Sequence, residues 1–292
     1  MTSASIIIPV FNRAHLVRRA IESSLAQTER CEVILVDHGS TDAIEEVAAE
    51  YEGRIRYVRR KEDRGPVACW RDGIEHSTGE YVHINFDDDW IQPTFMEETL
   101  AILQSGVGFV YARSRVHLSP DDSGIVSLIH PPGVRPSREF VQHALGSKLT
   151  VSPGAAVFRR RDALSNLLPE VPGARGRYGP GKGVGEDLLL FLLTTLDYPT
   201  YGHVPLPLAD FMAHQGSITV SALDSNLGKE LAAAYERARE HYLRQEGALQ
   251  PLRGLPAFTS RVKWLLASGS VGRKLVNHLK SHLPGQRFSR RP

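Results

Sequence analysis

The sequence predicts an α/β fold with a mostly parallel central sheet flanked by helices, and two observations carry that prediction. Short apolar, β-branched runs alternate with stretches at helical spacing over the first part of the chain. Polar clusters then close three of those runs, at Asn12, at Asp37-His38-Gly39-Ser40 and at Asp87-Asp88-Asp89. Strands alternating with helices imply right-handed crossovers between parallel strands. Ligands of such sheets bind beyond the carboxyl ends of the strands, so the three clusters make one candidate site.

The elements follow in order. Residues 5–10 are an apolar strand broken by Asn12-Arg13, and residues 15–27 bring Leu16, Ala20, Ile21 and Leu25 near one helical face. Residues 32–37 read as a buried strand, and Thr41-Asp42 offers a cap for a helix through Tyr51. A short strand at 55–58 precedes a helix at 66–76 with Pro66 in its first turn. Residues 80–86 form a strand ending in carboxylates, 93–104 a helix and 107–112 another strand. The second half is less regular. It offers a β-excursion at 114–128, strands at 154–158 and 201–208, and a buried helix at 186–196. Residues 172–185 contain six glycines and are expected to form a mobile loop over an acceptor site. An amphipathic helix at 229–244, a looser linker and a basic helical tail complete the chain.

Composition bounds the function. The 292 residues are 41% apolar and 23% charged, as in a soluble globular protein of one large domain with an appendage or two small ones. Two cysteines, Cys31 and Cys69, form no Cys-x-x-Cys pair, so a reducing cytoplasm is expected. The opening apolar run is too short and uncharged for a signal peptide, and no stretch reaches the length of a membrane span. The net charge of +2 hides an asymmetry. Residues 247–292 carry nine Lys/Arg and no Asp or Glu, leaving 26 basic against 33 acidic side chains in residues 1–246. The basic tail suggests an interaction segment, either a docked helix with its basic side in water or an anchor for an anionic membrane surface. The acidic body argues against nucleic acid.

Four constellations carry chemistry. In Phe86-Asp87-Asp88-Asp89-Trp90 three adjacent carboxylates repel one another, a cost that Mn²⁺ or Mg²⁺ offsets while keeping positions open for phosphate. The same triplet also reads as a solvated loop capping the helix at Pro93. Asp37 at a strand end before a Gly turn suits a base or ribose, or is an ordinary β-to-α turn. Asp187 in Gly185-Glu186-Asp187 reads as a helix-dipole partner or as a general base for an acceptor hydroxyl. His214, followed by Gly216-Ser217-Ile218-Thr219, is a structural histidine or a third ligand for Mn²⁺. One decoy is set aside: Gly176 to Lys182 matches the start of a phosphate-binding loop, but Gly183 follows instead of Ser or Thr and no strand precedes it.

These motifs, in order, resemble the family-2 glycosyltransferases with the GT-A fold: Ile7-Ile8-Pro9-Val10-Phe11-Asn12, Val36-Asp37-His38-Gly39-Ser40-Thr41-Asp42, Arg71-Asp72-Gly73, Gly79-Glu80-Tyr81-Val82, Phe86-Asp87-Asp88-Asp89-Trp90 with Pro93, and Gly185-Glu186-Asp187. The resemblance spans about residues 5–220. It implies a Rossmann-like catalytic domain over 1–222, with a nucleotide-sugar half to about 112 and an acceptor half after it, and a helical extension over 223–292. Pro9, Val10, Phe11, Asn12, Asp37 and His38 would line the donor pocket, with Arg71 near the base or diphosphate. Asp87 would hold ribose, and Asp88, Asp89 and His214 the metal. Asp187 would be the base of an inverting transfer from a nucleotide diphosphate sugar to an unidentified acceptor, of the kind used in polysaccharide biosynthesis. Two departures stand out: His38 replaces an Asp that commonly contacts the base, and Phe86 stands where the family often has Asp. No Gln-x-x-Arg-Trp sequence typical of processive members occurs, so single addition is expected. The rivals are nucleotidyl transfer on a related fold and a nucleotide-sugar-binding protein without catalysis.

Overall fold

Strand β1 (Ala4–Val10) is buried along its whole length, as an Ile-rich run must be when both faces of a sheet are covered. It lies between β2 (Glu32–His38) and β4 (Tyr81–Ile84), parallel to both, and β3 (Arg56–Arg60) continues the sheet parallel to β2. This computed structural model describes residues 3–245, apart from 104–105, 120, 128–130, 147–151, 177, 215–216 and 218–224. Beyond β4 the sheet runs through β9 (Ala156–Arg159), β6 (Phe109–His117) and β10 (Thr200–Met212) to β5 (Trp90–Ile91). Here the sheet is mixed: β9 is antiparallel to β4 and β6, whereas β10 is parallel to β6. Two short strands, β7 (Ile125–Val126) and β8 (Gly133–Pro136), pair antiparallel with β6 and β10.

The alternation of side chains along β1 divides the core in two. Ile7 joins one apolar cluster with Trp70, Ile74, Phe109, Phe140 and Phe191. Those residues come from β6 and from helices α3 (Pro66–His76), α5 (Ser137–Leu145) and α7 (Glu186–Asp197). Ile6 and Ile8 join the opposite cluster with Ile21, Ile44 and Phe95, from α1 (Arg18–Leu25), α2 (Ile44–Ala49) and α4 (Phe95–Leu103). Helices therefore cover both faces. At Gly73 the contact is so close that a Cβ would lie 2.2 Å from the Ile7 Cγ2 methyl.

Arginines satisfy the carbonyls that helix ends leave free. Arg160 Nε donates to Ile74 O of α3 at 3.0 Å, and Arg159 Nη2 to Leu103 O of α4 at 3.1 Å. Arg71 donates to Leu164 O of α6 (Arg160–Asn166) at 3.0 Å. Arg239, on α8 (Ser225–Leu243), donates to Ala144 O of α5 at 2.9 Å.

Some local expectations are corrected by these tertiary contacts. Thr41-Asp42 does not cap α2: the Asp42 carboxylate accepts Ala14 N–H at 2.8 Å, and α2 has no side-chain cap. Strand β10 extends past the expected end at 208, because a bulge between Val204 and Ala209 restores its register with β6. The glycine-rich segment before α7 is tied down rather than free-standing. Gly181 O accepts Val67 N–H at 3.2 Å, Gly181 N–H donates to Glu186 Oε1 at 3.0 Å, and Tyr178 and Val184 are buried against Ala234. The expected linker and basic tail, residues 246–292, lie outside the described residues. Among the described residues no helix is long and apolar enough to cross a membrane.

Candidate donor and catalytic site

The end of β1 is laced to the end of β2. Asn12 has φ +53°, a left-handed conformation that Asn tolerates better than bulkier residues. Its N–H donates to Ser40 Oγ at 2.9 Å, and its Oδ1 accepts Thr41 N–H at 2.8 Å. Asn12 and Phe11 are exposed at this lip, whereas Pro9, Val10, Asp37 and His38 are buried beneath it. Asp37 anchors the turn: its carboxylate accepts Ser40 N–H at 2.9 Å and the Tyr57 hydroxyl at 2.8 Å. His38 is 1% exposed and its Nε2 lies 3.1 Å from Asp72 Oδ2. Burial pushes the His38 pKa down, against the pull of Asp72. Asp72 is in turn held by Arg60 Nε at 2.9 Å and Arg64 Nη2 at 3.0 Å. Arg71, the next residue back on α3, turns the other way, to the carbonyls at the end of α6.

The acidic triplet follows β4. Arg13 Nη1, reaching across from the segment after β1, lies 2.9 Å from both Asp87 Oδ1 and Asp88 Oδ2. Burial pushes the Asp87 carboxyl up to about 7, and Arg13 opposes that rise. His214 Nε2 lies 2.8 Å from the same Asp88 Oδ2. Asp89 faces inward: it is 8% exposed, its Oδ1 accepts Met212 N–H at 2.9 Å, and burial raises its pKa strongly. Asp89 thereby fixes the end of β10, which delivers His214 to Asp88. Trp90 is clamped between the Arg19 guanidinium, 4.4 Å from its ring centre, and the His117 ring at 4.7 Å. Gln215, Gly216, Ile218 and Thr219 lie outside the described residues.

Asp187 sits in the first turn of α7. Its Oδ1 accepts Gly185 N–H at 2.8 Å and Leu188 N–H at 2.7 Å, and its Oδ2 accepts the Tyr235 hydroxyl at 2.8 Å. Burial pushes the carboxyl up to about 6, although each of these hydrogen bonds favours the charged form. The segment leading to Asp187 packs back on the acidic loop through aromatic rings. A Cβ on Gly183 would lie 2.6 Å from Trp70, and Trp70 lies 5.4 Å from Phe86, beside Asp87.

Sequence reading gave no role to five participants, Arg13, Arg60, Arg64, Asp72 and Tyr235. Arg13 looks like a strand breaker, and its position inside the first polar cluster is the signal that could have marked it. Arg60 and Arg64 carried no signal, Asp72 stood inside the Arg71-Asp72-Gly73 motif with the role given to Arg71 instead, and Tyr235 lies on a helix that reads as plain amphipathic. A separate cleft of about 380 Å³, lined by Thr78, Gly79, Glu80 and Arg159 to Arg161, opens at the amino end of β4. Its Arg159 and Arg160 guanidiniums are engaged by helix carbonyls, and it opens at the end of β4 opposite the acidic triplet.

Comparison with known proteins decides the lineage. Residues 5–168 match the family described as Glycosyl transferase family 2. The chain belongs to glycosyl transferase family 2. It is 31% identical over 132 residues to the uncharacterized glycosyltransferase RC0461 of Rickettsia conorii, covering 44% of this chain and 22% of the relative. It is 34% identical over 112 residues to the succinoglycan biosynthesis protein ExoU of Rhizobium meliloti, covering 37% and 32%. The matched segments span 18% to 31% of the length of the first three curated relatives. Among solved structures, S. aureus TarS in complex with UDP-GlcNAc superimposes with a TM-score of 0.58 at 14% identity, over 81% of this chain and 72% of that one. Glucosyl-3-phosphoglycerate synthase from Mycobacterium tuberculosis, in complex with Mn²⁺, UDP and glucosyl-3-phosphoglycerate, gives 0.53 at 20% identity, over 81% and 80%. The family-2 chain therefore has the GT-A fold.

Proposed function

We propose that this family-2 chain is a glycosyltransferase that moves one sugar from a nucleotide diphosphate donor to an acceptor hydroxyl, with inversion and with the help of a divalent metal. The observation that carries the proposal is Asp88, whose carboxylate meets both Arg13 and His214 beside the exposed Phe11-Asn12 lip. Residues 1–222 are read as the catalytic domain, and α8 as an extension docked on α7.

The donor set fits a hard or borderline cation: one carboxylate and one imidazole, adjacent to each other. Among the described residues no three His, Cys, Asp or Glu side chains converge on one point, so diphosphate oxygens would complete the shell. Mn²⁺ or Mg²⁺ held by Asp88 and His214 would supply charge neutralisation for the leaving diphosphate. Asp89 stays with Met212 N–H and positions the pair. Phe11 and Asn12 offer the nucleoside an exposed rim. Arg13 holds Asp87 and Asp88 in register before the donor binds.

Asp187 performs the proton transfer. Its pKa near 6 leaves it mostly ionised at neutral pH yet basic enough to accept the acceptor hydroxyl proton. The acceptor oxygen then bonds to the anomeric carbon as the bond to the diphosphate oxygen breaks, and that electron pair leaves with the nucleotide. The UDP complexes of the solved relatives support a nucleotide-sugar donor, and the curated relative ExoU supports a place in polysaccharide assembly. The test is a thermal-shift series with UDP, dTDP and GDP, each with and without Mn²⁺, followed by donor hydrolysis with the best binder. At least one diphosphate should raise Tm only when Mn²⁺ is present. No shift with any of them would remove the proposal.

A further inference from the structure

Asp187 does not stand alone at the start of α7. Its Oδ1 is saturated by two backbone N–H groups of its own helix start, so the partner of Oδ2 decides how the carboxylate is turned. That partner is the hydroxyl of Tyr235, 2.8 Å away on α8, outside the stretch of chain that matches the family. The contact is built in at close range. Gly185 has φ +95°, and a Cβ there would lie 3.0 Å from Ala234 O and 3.4 Å from the Ala238 Cβ. The backbone of α8 thus presses directly on the turn that presents Asp187. Further along, Tyr242 lies 3.4 Å from Thr195 and Arg239 binds the end of α5, so α8 is fixed at several points.

We propose that Tyr235 is a positioning residue for Asp187: the helix after the catalytic domain reaches back to orient the base and to hold its charged form. The proposal rests on the reading of Asp187 as the base. A neutral donor on Oδ2 leaves one lone pair of that oxygen to accept from an incoming hydroxyl, and it favours the ionised carboxylate. Tyr235 can keep that role across the working pH range, because burial and the facing carboxylate raise its own pKa strongly. The other charged groups around Asp187 are Glu186 on its own helix and Arg239 on α8, whose pKa burial pushes down.

The test is a carbon-13 NMR titration of the full chain labelled at aspartate carboxyls, with Asp187 assigned by its loss in Asp187→Asn. Tyr235→Phe removes one oxygen and should move the Asp187 midpoint upward from about 6 by roughly one to two pH units, the worth of one hydrogen bond to the charged form. The acid limb of the turnover profile should move with it. A midpoint that stays or falls overturns the proposal. If Tyr235→Phe does not fold, the wild type carries the same test. The Tyr235 ring carbon bearing oxygen must then shift with the Asp187 midpoint, and a resonance that ignores that ionisation overturns the proposal. The two ideas fail differently. Unchanged turnover in Asp187→Asn sinks the base reading and the positioning role together. A normal loss in Asp187→Asn with an unmoved titration in Tyr235→Phe sinks the positioning role alone.

Discussion

A base held in a partly buried pocket should make the folded protein less stable than a neutral residue would, and Asp187→Asn measures this. Burial lifts the carboxyl from its ordinary 3.8 to about 6. The folded state therefore binds the proton more tightly than the unfolded chain. Well below pH 3.8 the carboxyl is protonated in both states and costs nothing. As pH rises from about 4 to about 6 the unfolded chain ionises first and stability falls, and above about 6 the loss is complete. Allowing for the partial exposure of Asp187, the penalty at neutral pH is about 1–3 kcal/mol. Asn removes the charge, yet its oxygen still accepts from Gly185 and Leu188, and its amide can donate to the Tyr235 hydroxyl. At about 2–4 °C per kcal/mol for a chain of this size, Tm should rise by roughly 3–10 °C at pH 7.5. Most of the gain should be lost by about pH 4. Donor binding should stay close to wild type while turnover falls about 10²-fold or more. Melting curves from pH 4 to 8 decide the matter. A variant no more stable than wild type at pH 7.5, or equally stabilised at both ends, would refute the reasoning.

Other outcomes follow from the acidic loop and the nucleoside lip. Asp88→Ala should abolish the Mn²⁺-dependent thermal shift produced by a nucleotide diphosphate, and an unchanged shift would remove Asp88 from the metal site. Arg13→Ala leaves Asp87 and Asp88 without their bridging cation, so Mn²⁺ alone should raise the Tm of the variant more than that of wild type. Equal shifts in both proteins would show that Arg13 does not stand in for the metal's charge. His38→Asp replaces a group that can donate or accept by one that only accepts, beside Asp72. It should lower Tm and move the ranking of UDP, dTDP and GDP towards UDP, and an identical ranking would separate His38 from base choice.

Much of this molecule was written locally. Alternation in residues 4–10 placed Ile7 against α3 and Ile6 and Ile8 against the other layer. The run before Asp87 set the carboxylates at a strand end, and Asp187 at the start of an apolar stretch became the first turn of α7. Periodicity records which side of an element is apolar, and that information lies within a few residues. It does not record which element lies beside which. Asp88 and His214 are 126 residues apart and meet because β10 runs beside β6 and is pinned by Asp89. Arg13 finds Asp87 because β1 and β4 are neighbours. Arg71 was expected at the donor and serves a helix end instead, while Asp72, one residue on, faces His38. One step along a helix turns a side chain by about 100°, so the sequence named the segment and only the packing of α3 chose the side. The same holds for Tyr235: its helix was legible from its pattern, but the hydroxyl on Asp187 exists only because α8 docks across the start of α7.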